Sequence, residues 1–476
     1  MSHLAVRRKR NDRHGRRARL GRRARMLRHR AFRAARIARL GVVHGSSLLV
    51  TRVRQLRADP AERAELDRRF AVRTATDVTE QLGQMKGVLM KAGQMVAFIA
   101  EGLPEEVKAL LATLQADAPP MAPSLAASVV HDELGGEPER IFRHFEREPV
   151  AAASIGQVHR AVLHDGRQVA VKVQYPGVGE TIGPDLANAE LLYGLVARFS
   201  VPGLDTKALV DELRARMLDE LDYRIEAANL VEFGTHYAGH PFIRIPEVIA
   251  KHCSERVLTT SWVDGLRFDE FVATASIEAK QRAGEVLFRF AQGSVHRLGA
   301  FNGDPHPGNY RFHADGTVTF LDFGLVKRWA GDEWERLSPC MDAIISLQDP
   351  VALVARMEAV GFLRAGHGLD PNDVYAYVSS PYRPYLTDSF TFSPAFVADA
   401  LASVIDVRGP YEQVVRALNM PSSFVILDRV VWGVSSLLGR LGATGPWRAI
   451  LAEYRHGGPP ATELGRQDAA WWAARA

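Results

Sequence analysis

Residues 304–324 read DPHPGNYRFHADGTVTFLDFG, and their pattern is the strongest indication of the fold in this sequence. Asp304 and Asn309 are five positions apart, a spacing typical of a loop in which the aspartate accepts a hydroxyl proton and the asparagine binds metal. Two prolines stiffen the loop, which suits fixed placement of both polar side chains. Asp322 opens an Asp-Phe-Gly tripeptide and would chelate an Mg²⁺ that bridges phosphates. His306 is interpreted as structural, or as hydrogen-bonded within the loop, rather than as a metal ligand, because no His/Cys cluster with zinc spacing accompanies it.

A lysine in an apolar setting lies upstream of this stretch. Lys172 ends the run Val169-Ala170-Val171-Lys172, and a lysine within an apolar strand is costly unless a carboxylate pairs with it. It would contact nucleotide phosphates, or it would be an edge lysine whose ammonium reaches solvent. Glu220 or Asp222 could supply the carboxylate. Their helix is indicated by apolar residues at every fourth position: Leu209, Leu213, Met217, Leu221 and Ile225.

A turn of small residues precedes the lysine and consists of Ala151, Ala152, Ala153 and Ser154. Small side chains let backbone N–H groups approach a phosphate closely, although alanine permits fewer conformations than glycine. Each of these motifs is common when taken alone. Their order is informative, because it is the order that phosphoryl transfer requires. The chain carries first the small-residue loop, then the lysine, the acidic residue, the Asp-x4-Asn loop and the Asp-Phe-Gly tripeptide.

The surrounding pattern predicts two unequal lobes. Residues 157–163 and 168–173 have strand texture and flank an Asp-Gly step, which predicts a hairpin. Residues 243–249 and 256–262 also have strand texture. From Phe268 onward the pattern is mainly helical. We therefore expect an α+β chain with a small β-containing N-lobe and a larger helical C-lobe.

With these residues in hand, the chain resembles the UbiB/AarF family of atypical kinase-like proteins, also called the coenzyme Q biosynthesis kinase-like family. The resemblance covers roughly residues 82–441. Lys91-Ala92-Gly93-Gln94 fits the family's KxGQ signature, and Glu220 with Asp222 fits its ExD motif. The resemblance implies a bilobal protein kinase-like fold with an N-terminal helical extension, and it implies ATP and Mg²⁺ as cofactors.

The resemblance also implies roles for individual residues. Asp304, Lys172 and Glu220 would be catalytic, with Glu220 pairing with Lys172, and Asn309 and Asp322 would hold the metal. The implied nucleotide-binding residues are Ala151, Ala152, Ala153, Ser154, Lys172, Lys91, Gln94 and Asp222. The chain departs from the family at Asn302, where a histidine is usual, and this departure bears on the conformation of Asp304.

The function implied by the resemblance is that of a Mg-dependent ATPase or a small-molecule or lipid phosphotransferase supporting isoprenoid quinone biosynthesis or lipid homeostasis. One alternative is a protein kinase acting in trans, although the extension carrying Lys91 and Gln94 would obstruct the groove that a protein substrate uses. Another is a non-catalytic, nucleotide-gated scaffold or lipid-binding chaperone, which would bind ATP without turnover. The expected parts are a basic arm (1–57), the helical extension (58–130), an N-lobe with a helical insertion (131–265), a C-lobe (266–441) and a C-terminal tail (442–476).

Charge is distributed unevenly along the 476 residues. The net charge is +5, yet residues 1–40 contain 16 Arg or Lys and one acidic residue, so the remaining 436 residues carry 44 basic and 54 acidic residues. The basic arm predicts either an anionic membrane surface as partner or a solvated tail, and it disfavours nucleic acid because no aromatic interleaving accompanies the charge.

Localisation is predicted from cysteine usage and hydropathy. Two cysteines far apart in sequence favour a reducing compartment. Residues 424–441 are too charged for a membrane span. We expect a cytoplasmic protein, peripheral on the inner face of the membrane, with a nucleotide and quinone or lipid intermediates as partners; a homodimer is compatible with the sequence.

Overall fold

The computed structural model describes residues 121–153, 155–176, 178, 218–329, 331–405, 409–419 and 422–475. Within these residues a small lobe built on an antiparallel sheet precedes a larger, mainly helical lobe. The predicted α+β, bilobal architecture is therefore confirmed. Lys91, Gln94 and Ser154 lie outside the described residues, as does the basic arm.

The secondary-structure elements are numbered in chain order. The strands are β1 (His144–Phe145), β2 (Ala151–Ala153), β3 (Gly156–Val162), β4 (Gln168–Gln174), β5 (Ile243–Arg244), β6 (Val257–Ser261), β7 (Ala300–Asn302), β8 (Tyr310–Phe312), β9 (Val318–Phe320), β10 (Val326–Arg328), β11 (Phe390–Thr391) and β12 (Thr444–Gly445). The helices are α1 (Pro123–Leu134), α2 (Pro138–Ile141), α3 (Tyr223–His236), α4 (Phe268–Thr274), α5 (Ile277–Gly293), α6 (Glu333–Asp342), α7 (Pro350–Ala359), α8 (Pro371–Val378), α9 (Pro394–Ile405), α10 (Glu412–Ala417), α11 (Ser422–Leu441), α12 (Trp447–His456) and α13 (Glu463–Ala473).

The sheet of the small lobe has the strand order β1-β3-β4-β6, with β2 paired to β3. Strands β3 and β4 form the predicted hairpin, and Gly166 adopts a φ of 91° in its turn, a left-handed conformation that glycine adopts without steric cost. Val169, Val171 and Val173 alternate with less buried residues along β4 and pack in one apolar cluster with α1. Lys172 therefore faces the opposite side of the sheet.

Helix α1 crosses the boundary that the sequence placed at residue 130. Val129 and Val130, on its buried face, belong to the same apolar cluster as the valines of β4. The helix is thus part of the small lobe's core. Gly135 ends it in the left-handed conformation, with its N–H donating to the His131 carbonyl.

Helix α3 connects the sheet to the larger lobe. Asp222 caps its first turn by accepting a hydrogen bond from the Arg224 N–H. Its buried residues are Tyr223, Glu226, Asn229, Leu230 and Phe233. The expected apolar stripe through Ile225 was wrong at this end, because Ile225 is 39% exposed and the helix begins only at Tyr223.

In the larger lobe, two short strand pairs place the two loops that carry the sequence motifs. Strand β7 pairs with β10, so that Asn302 lies opposite Val326. Strand β8 pairs with β9, so that Tyr310 lies opposite Phe320. Residues 303–309 and 321–325 therefore leave neighbouring strand ends and lie side by side. Behind them, α5 contributes Phe288 and Phe290 to the core.

The tail folds back onto the body as two helices, α12 and α13. Trp447 and Leu464 join the main apolar core. Gly457, in the left-handed conformation, ends α12. In the part of the chain that the structure covers, no helix combines the length and the apolar character needed to cross a membrane.

Candidate active site

A cavity of about 490 Å³ lies between the two lobes. The small lobe contributes Val158, Ala170 and Lys172 to its wall, and the larger lobe contributes the loop 304–309 and Asp322. The connection between the lobes, residues 261–265, also lines it. The side chains of Lys172 and Asp322, 150 positions apart in sequence, thus meet in one cleft.

Lys172 is the centre of an ion-pair cluster in this cleft. Its Nζ lies 2.7 Å from Oε2 and 3.0 Å from Oε1 of Glu226, and 3.5 Å from Oδ2 of Asp322. The Lys172 side chain is 15% exposed and that of Glu226 is 7% exposed. Two carboxylates compensate for the burial of one ammonium, so Lys172 is not an edge lysine that reaches solvent.

The predicted pairing of Lys172 with Glu220 is corrected by the structure, because the partner is Glu226. Glu220 lies in the turn before α3, whereas Glu226 lies within the helix on its buried face. Glu220 and Asp222 line a small recess beside Lys172. The Asp222 carboxylate caps α3 and forms an ion pair with Arg224 at 2.7 Å.

The two members of the pair have shifted pKa values. Burial raises the pKa of Glu226 to about 7, while the Lys172 ammonium opposes the rise and the Asp322 carboxylate adds to it. Burial acts to lower the pKa of Lys172, but the carboxylates of Asp322 and Glu226 outweigh it and hold that pKa well above its ordinary value. Lys172 therefore stays positive at neutral pH, and the charge of Glu226 responds to pH near neutrality.

The loop from Asp304 to Asn309 is fixed by polar side chains. The Asn309 amide donates to the Asp304 carbonyl at 3.0 Å. Asn302 accepts from the Asp304 N–H at 3.0 Å and donates to the Asp322 carbonyl at 2.5 Å. Asn302, where the family usually has histidine, thus connects both motif loops. The sequence marked this position as a departure but did not predict the connection.

The Asp-Phe-Gly segment is held to α3. One oxygen of Asp322, Oδ1, accepts from the Gly324 N–H at 2.9 Å, while Oδ2 faces Lys172. The buried Phe323 ring packs against Phe233, with ring centroids 4.7 Å apart. The helix that presents Glu226 to Lys172 therefore also positions Asp322.

The three alanines form strand β2, where the sequence predicted a turn. Ala151, Ala152 and Ala153 pair with β3 and line the cavity. Gly156, the first residue of β3, lies so close to β4 that a Cβ atom there would come within 2.3 Å of the Val173 carbonyl oxygen. The absence of a side chain at Gly156 therefore permits the backbones of β3 and β4 to approach closely at the edge of the cleft.

The polar residues of the cleft fit a magnesium site completed by a ligand. Asp322 and Asn309 offer oxygen atoms, and Asp304 adds a second carboxylate to the same wall. Across the described ranges, no group of three or more His, Cys, Asp or Glu side chains could hold a metal alone. Mg²⁺ is usually bound through one or two carboxylates together with phosphate oxygens and waters, and the side chains of Asp322, Asp304 and Asn309 fit that pattern.

Two lobes with a Lys–Glu pair on one side of the cleft, and Asp-x4-Asn and Asp-Phe-Gly loops on the other, define a protein kinase-like protein. Residues 113–352 match the family described as the ABC1 atypical kinase-like domain. The chain belongs to this family, in agreement with the UbiB/AarF resemblance of its sequence.

Several relatives support this assignment. "Protein ACTIVITY OF BC1 COMPLEX KINASE 1, chloroplastic" from Arabidopsis thaliana is 36% identical over 247 residues, which are 50% of this chain and 35% of that protein. An uncharacterized Mycobacterium tuberculosis protein, Rv0647c, is 30% identical over 338 residues, 68% of either chain. The structure of the Rv3197–erythromycin complex from Mycobacterium tuberculosis matches with a TM-score of 0.60 and 31% identity, covering 82% of this chain and 98% of that chain. The chain spans about a third to a half of the length of the first curated relatives.

Proposed function

We propose that the protein binds ATP with Mg²⁺ in this cleft and transfers the terminal phosphoryl group to water or to the hydroxyl of a small molecule or lipid. One observation carries the proposal: a cation, two carboxylates and an amide line a single cavity of about 490 Å³, namely Lys172, Asp304, Asp322 and Asn309. These are the side-chain types that phosphoryl transfer uses for phosphate, metal and nucleophile.

Each residue has a distinct task in this proposal. Lys172 contacts the phosphates, and Glu226 fixes its ammonium. Asp322 and Asn309 hold Mg²⁺, which when bound neutralises charge on the phosphates. An oxygen of the nucleophile bonds to the terminal phosphorus while the bond from phosphorus to the bridging oxygen of ADP breaks, leaving its electron pair on ADP. The Asp304 carboxylate accepts the nucleophile's proton.

A thermal-shift titration with Mg-ATP tests nucleotide binding. A ligand that binds only the folded state raises its stability as concentration exceeds Kd, so we expect the wild-type melting temperature to rise with ATP. Asp322→Asn should lose most of that increase, whereas Asp388→Asn, which removes an exposed carboxylate outside the cavity, should retain it. No stabilisation of the wild type, or equal stabilisation of Asp322→Asn, would refute the proposal.

The acceptor is proposed from the family resemblance, which associates such proteins with isoprenoid quinone biosynthesis and lipid homeostasis. Steady-state ATP hydrolysis with and without anionic liposomes separates the alternatives. Faster hydrolysis with lipid supports a lipid or quinone role. Phosphate incorporation into a protein in trans, lost in Asp304→Asn, supports a protein kinase, and ATP binding without turnover supports a scaffold.

The basic arm is proposed to attract the chain to an anionic membrane surface. Its 16 Arg or Lys residues in positions 1–40 would contribute about 1 kcal/mol each near such a surface. Co-sedimentation with anionic liposomes, compared between the full chain and a chain lacking residues 1–40, tests this. Equal co-sedimentation of both would show that the arm is not responsible.

A second candidate function is binding of a macrolide-type compound. It is favoured by the 31% identity, across 82% of this chain, to a protein whose structure was determined as an erythromycin complex. Erythromycin added to the same thermal-shift assay tests it. Stabilisation by erythromycin that ATP abolishes would place both ligands in the cleft, and no stabilisation would remove this candidate.

A further inference from the structure

His306 lies inside the loop between Asp304 and Asn309, and its ring lines the cavity. Its Nδ1 accepts a hydrogen bond from the Gly308 N–H at 3.1 Å. An imidazole nitrogen that accepts a hydrogen bond carries no proton, so the proton of the ring must be on Nε2. The hydrogen bond from Gly308 therefore fixes the tautomer of His306 in which Nε2–H is a donor. This bond agrees with the interpretation of His306 as a residue that is hydrogen-bonded within its loop.

This donor is open to a ligand. The His306 ring is exposed, and within the described part of the chain neither a carboxylate nor a carbonyl accepts from its Nε2. His306 lies in the chain between Asp304 and Asn309, the residues assigned above to the nucleophile and the metal, and all three line the cavity. The donor thus belongs to the phosphate end of the cleft.

The backbone around His306 is rigid. Pro305 and Pro307 flank it and restrict its main chain, and its carbonyl accepts from the Asn309 N–H at 3.0 Å. Pro305 sits tightly on helix α11, because a Cβ atom at Gly433 would lie 2.2 Å from its Cγ. A donor held in this way needs little reorganisation when negative charge arrives beside it.

We propose that His306 is a phosphate-contacting residue whose Nε2–H donates a hydrogen bond to a non-bridging oxygen of the terminal phosphoryl group of a nucleoside triphosphate. The inference rests on the proposed nucleotide function and deepens it. His306 forms and breaks no covalent bond and transfers no proton in this role. A nucleoside diphosphate lacks the terminal group, so the contact distinguishes ATP from ADP.

The test compares His306→Asn with His306→Ala in the full chain. Asparagine keeps an acceptor for the backbone N–H two residues on but has no atom at the position of Nε2, whereas alanine removes both. Affinities for Mg-ATP and Mg-ADP are measured by isothermal titration calorimetry, with phosphate release measured in parallel. A lost hydrogen bond to a charged group predicts about tenfold weaker ATP binding in His306→Asn, with ADP affinity changed by less than about twofold.

Three outcomes would overturn the proposal. If His306→Asn binds ATP and releases phosphate like the wild type while His306→Ala is impaired, the ring serves only the loop. If His306→Asn loses ATP and ADP affinity equally, the effect does not lie at the terminal phosphate. If the wild type binds neither nucleotide, the proposed function fails and this inference fails with it, whereas either of the first two results leaves the proposed function standing.

Discussion

The side-chain amide of Asn229 donates a hydrogen bond to the main-chain carbonyl of Phe323, with 2.9 Å between Nδ2 and the oxygen. Helix α3 therefore holds the Asp-Phe-Gly segment through Asn229. One turn earlier on the same helix, Glu226 holds Lys172. Any displacement of this helix would move both contacts together. The helix thus couples the position of the Asp-Phe-Gly segment to the position of Lys172.

Replacing Asn229 tests this coupling. Asn229→Ala would leave the buried Phe323 carbonyl without its donor, which costs about 1–3 kcal/mol of unfolding free energy, and it should reduce stabilisation by Mg-ATP. Urea denaturation with and without nucleotide measures both effects. Glu232→Gln is the matched control, because Glu232 and Asn229 both contact Arg328 but Glu232 makes no such bond to Phe323. Similar losses in the two variants would contradict the coupling.

A double-mutant cycle tests which carboxylate pairs with Lys172. We expect Lys172→Met and Glu226→Gln to be coupled by about 1–3 kcal/mol in unfolding free energy, because the two side chains share a partly buried ion pair. The coupling of Lys172→Met with Glu220→Gln should be weaker, because Glu220 lines the recess beside Lys172 but lies outside the 2.7 Å ion pair. Strong coupling to Glu220 instead would restore the pairing expected from the ExD motif.

The pKa of Glu226, raised to about 7 by burial, predicts a pH-dependent site. Below that pH the carboxyl group takes up a proton and binds Lys172 more weakly, and above it the ion pair is complete. ATP turnover should therefore rise between about pH 6 and pH 8. Glu226→Gln is neutral at every pH and should lack this step, although its overall rate is lower. A step of unchanged size in the variant would assign the titration to another group.

The sequence predicted the two lobes and the motif loops because those features are local. The Asp-Gly turn fixes the β3–β4 hairpin, and the residue types around Asp304 and Asp322 already specify their chemistry. Both residues lie in the expected cleft. Local patterns, however, do not determine which of several acidic residues turns inward at a helix start.

Glu226 was missed for this reason. The apolar spacing was extended through Ile225, whereas capping by Asp222 starts α3 at Tyr223 and rotates Ile225 outward. A detectable signal was present, since Tyr223, Glu226, Leu230 and Phe233 follow helical spacing with one glutamate among apolar residues. A charged residue on an otherwise apolar face indicates a buried partner. That partner, Lys172, lies 54 positions away, beyond what helical periodicity describes.

The C-terminal helix α13 is joined to the far end of α3, a relationship that tail composition did not predict. Arg475, just after α13, donates to the carbonyls of Ala238 at 2.8 Å and Thr235 at 3.2 Å. A cation beside the last carbonyls of a helix is favourable because it complements the helix dipole. The tail thus restrains the helix that carries Glu226 and Asn229.

Asp468 anchors helix α13 to the body of the protein. Its carboxylate, 5% exposed, accepts from His240 Nε2 at 3.0 Å, from Arg297 Nη1 at 2.9 Å and from the Tyr454 hydroxyl at 3.2 Å. Asp468→Ala would leave the buried His240 ring and two partly buried donors without their acceptor and should lower the unfolding free energy by about 3 kcal/mol. Glu463→Gln, on the same helix but in an exposed ion pair with Arg466, should leave the unfolding free energy nearly unchanged. Urea denaturation of both variants decides the matter, and equal small effects would mean that α13 is not anchored through Asp468.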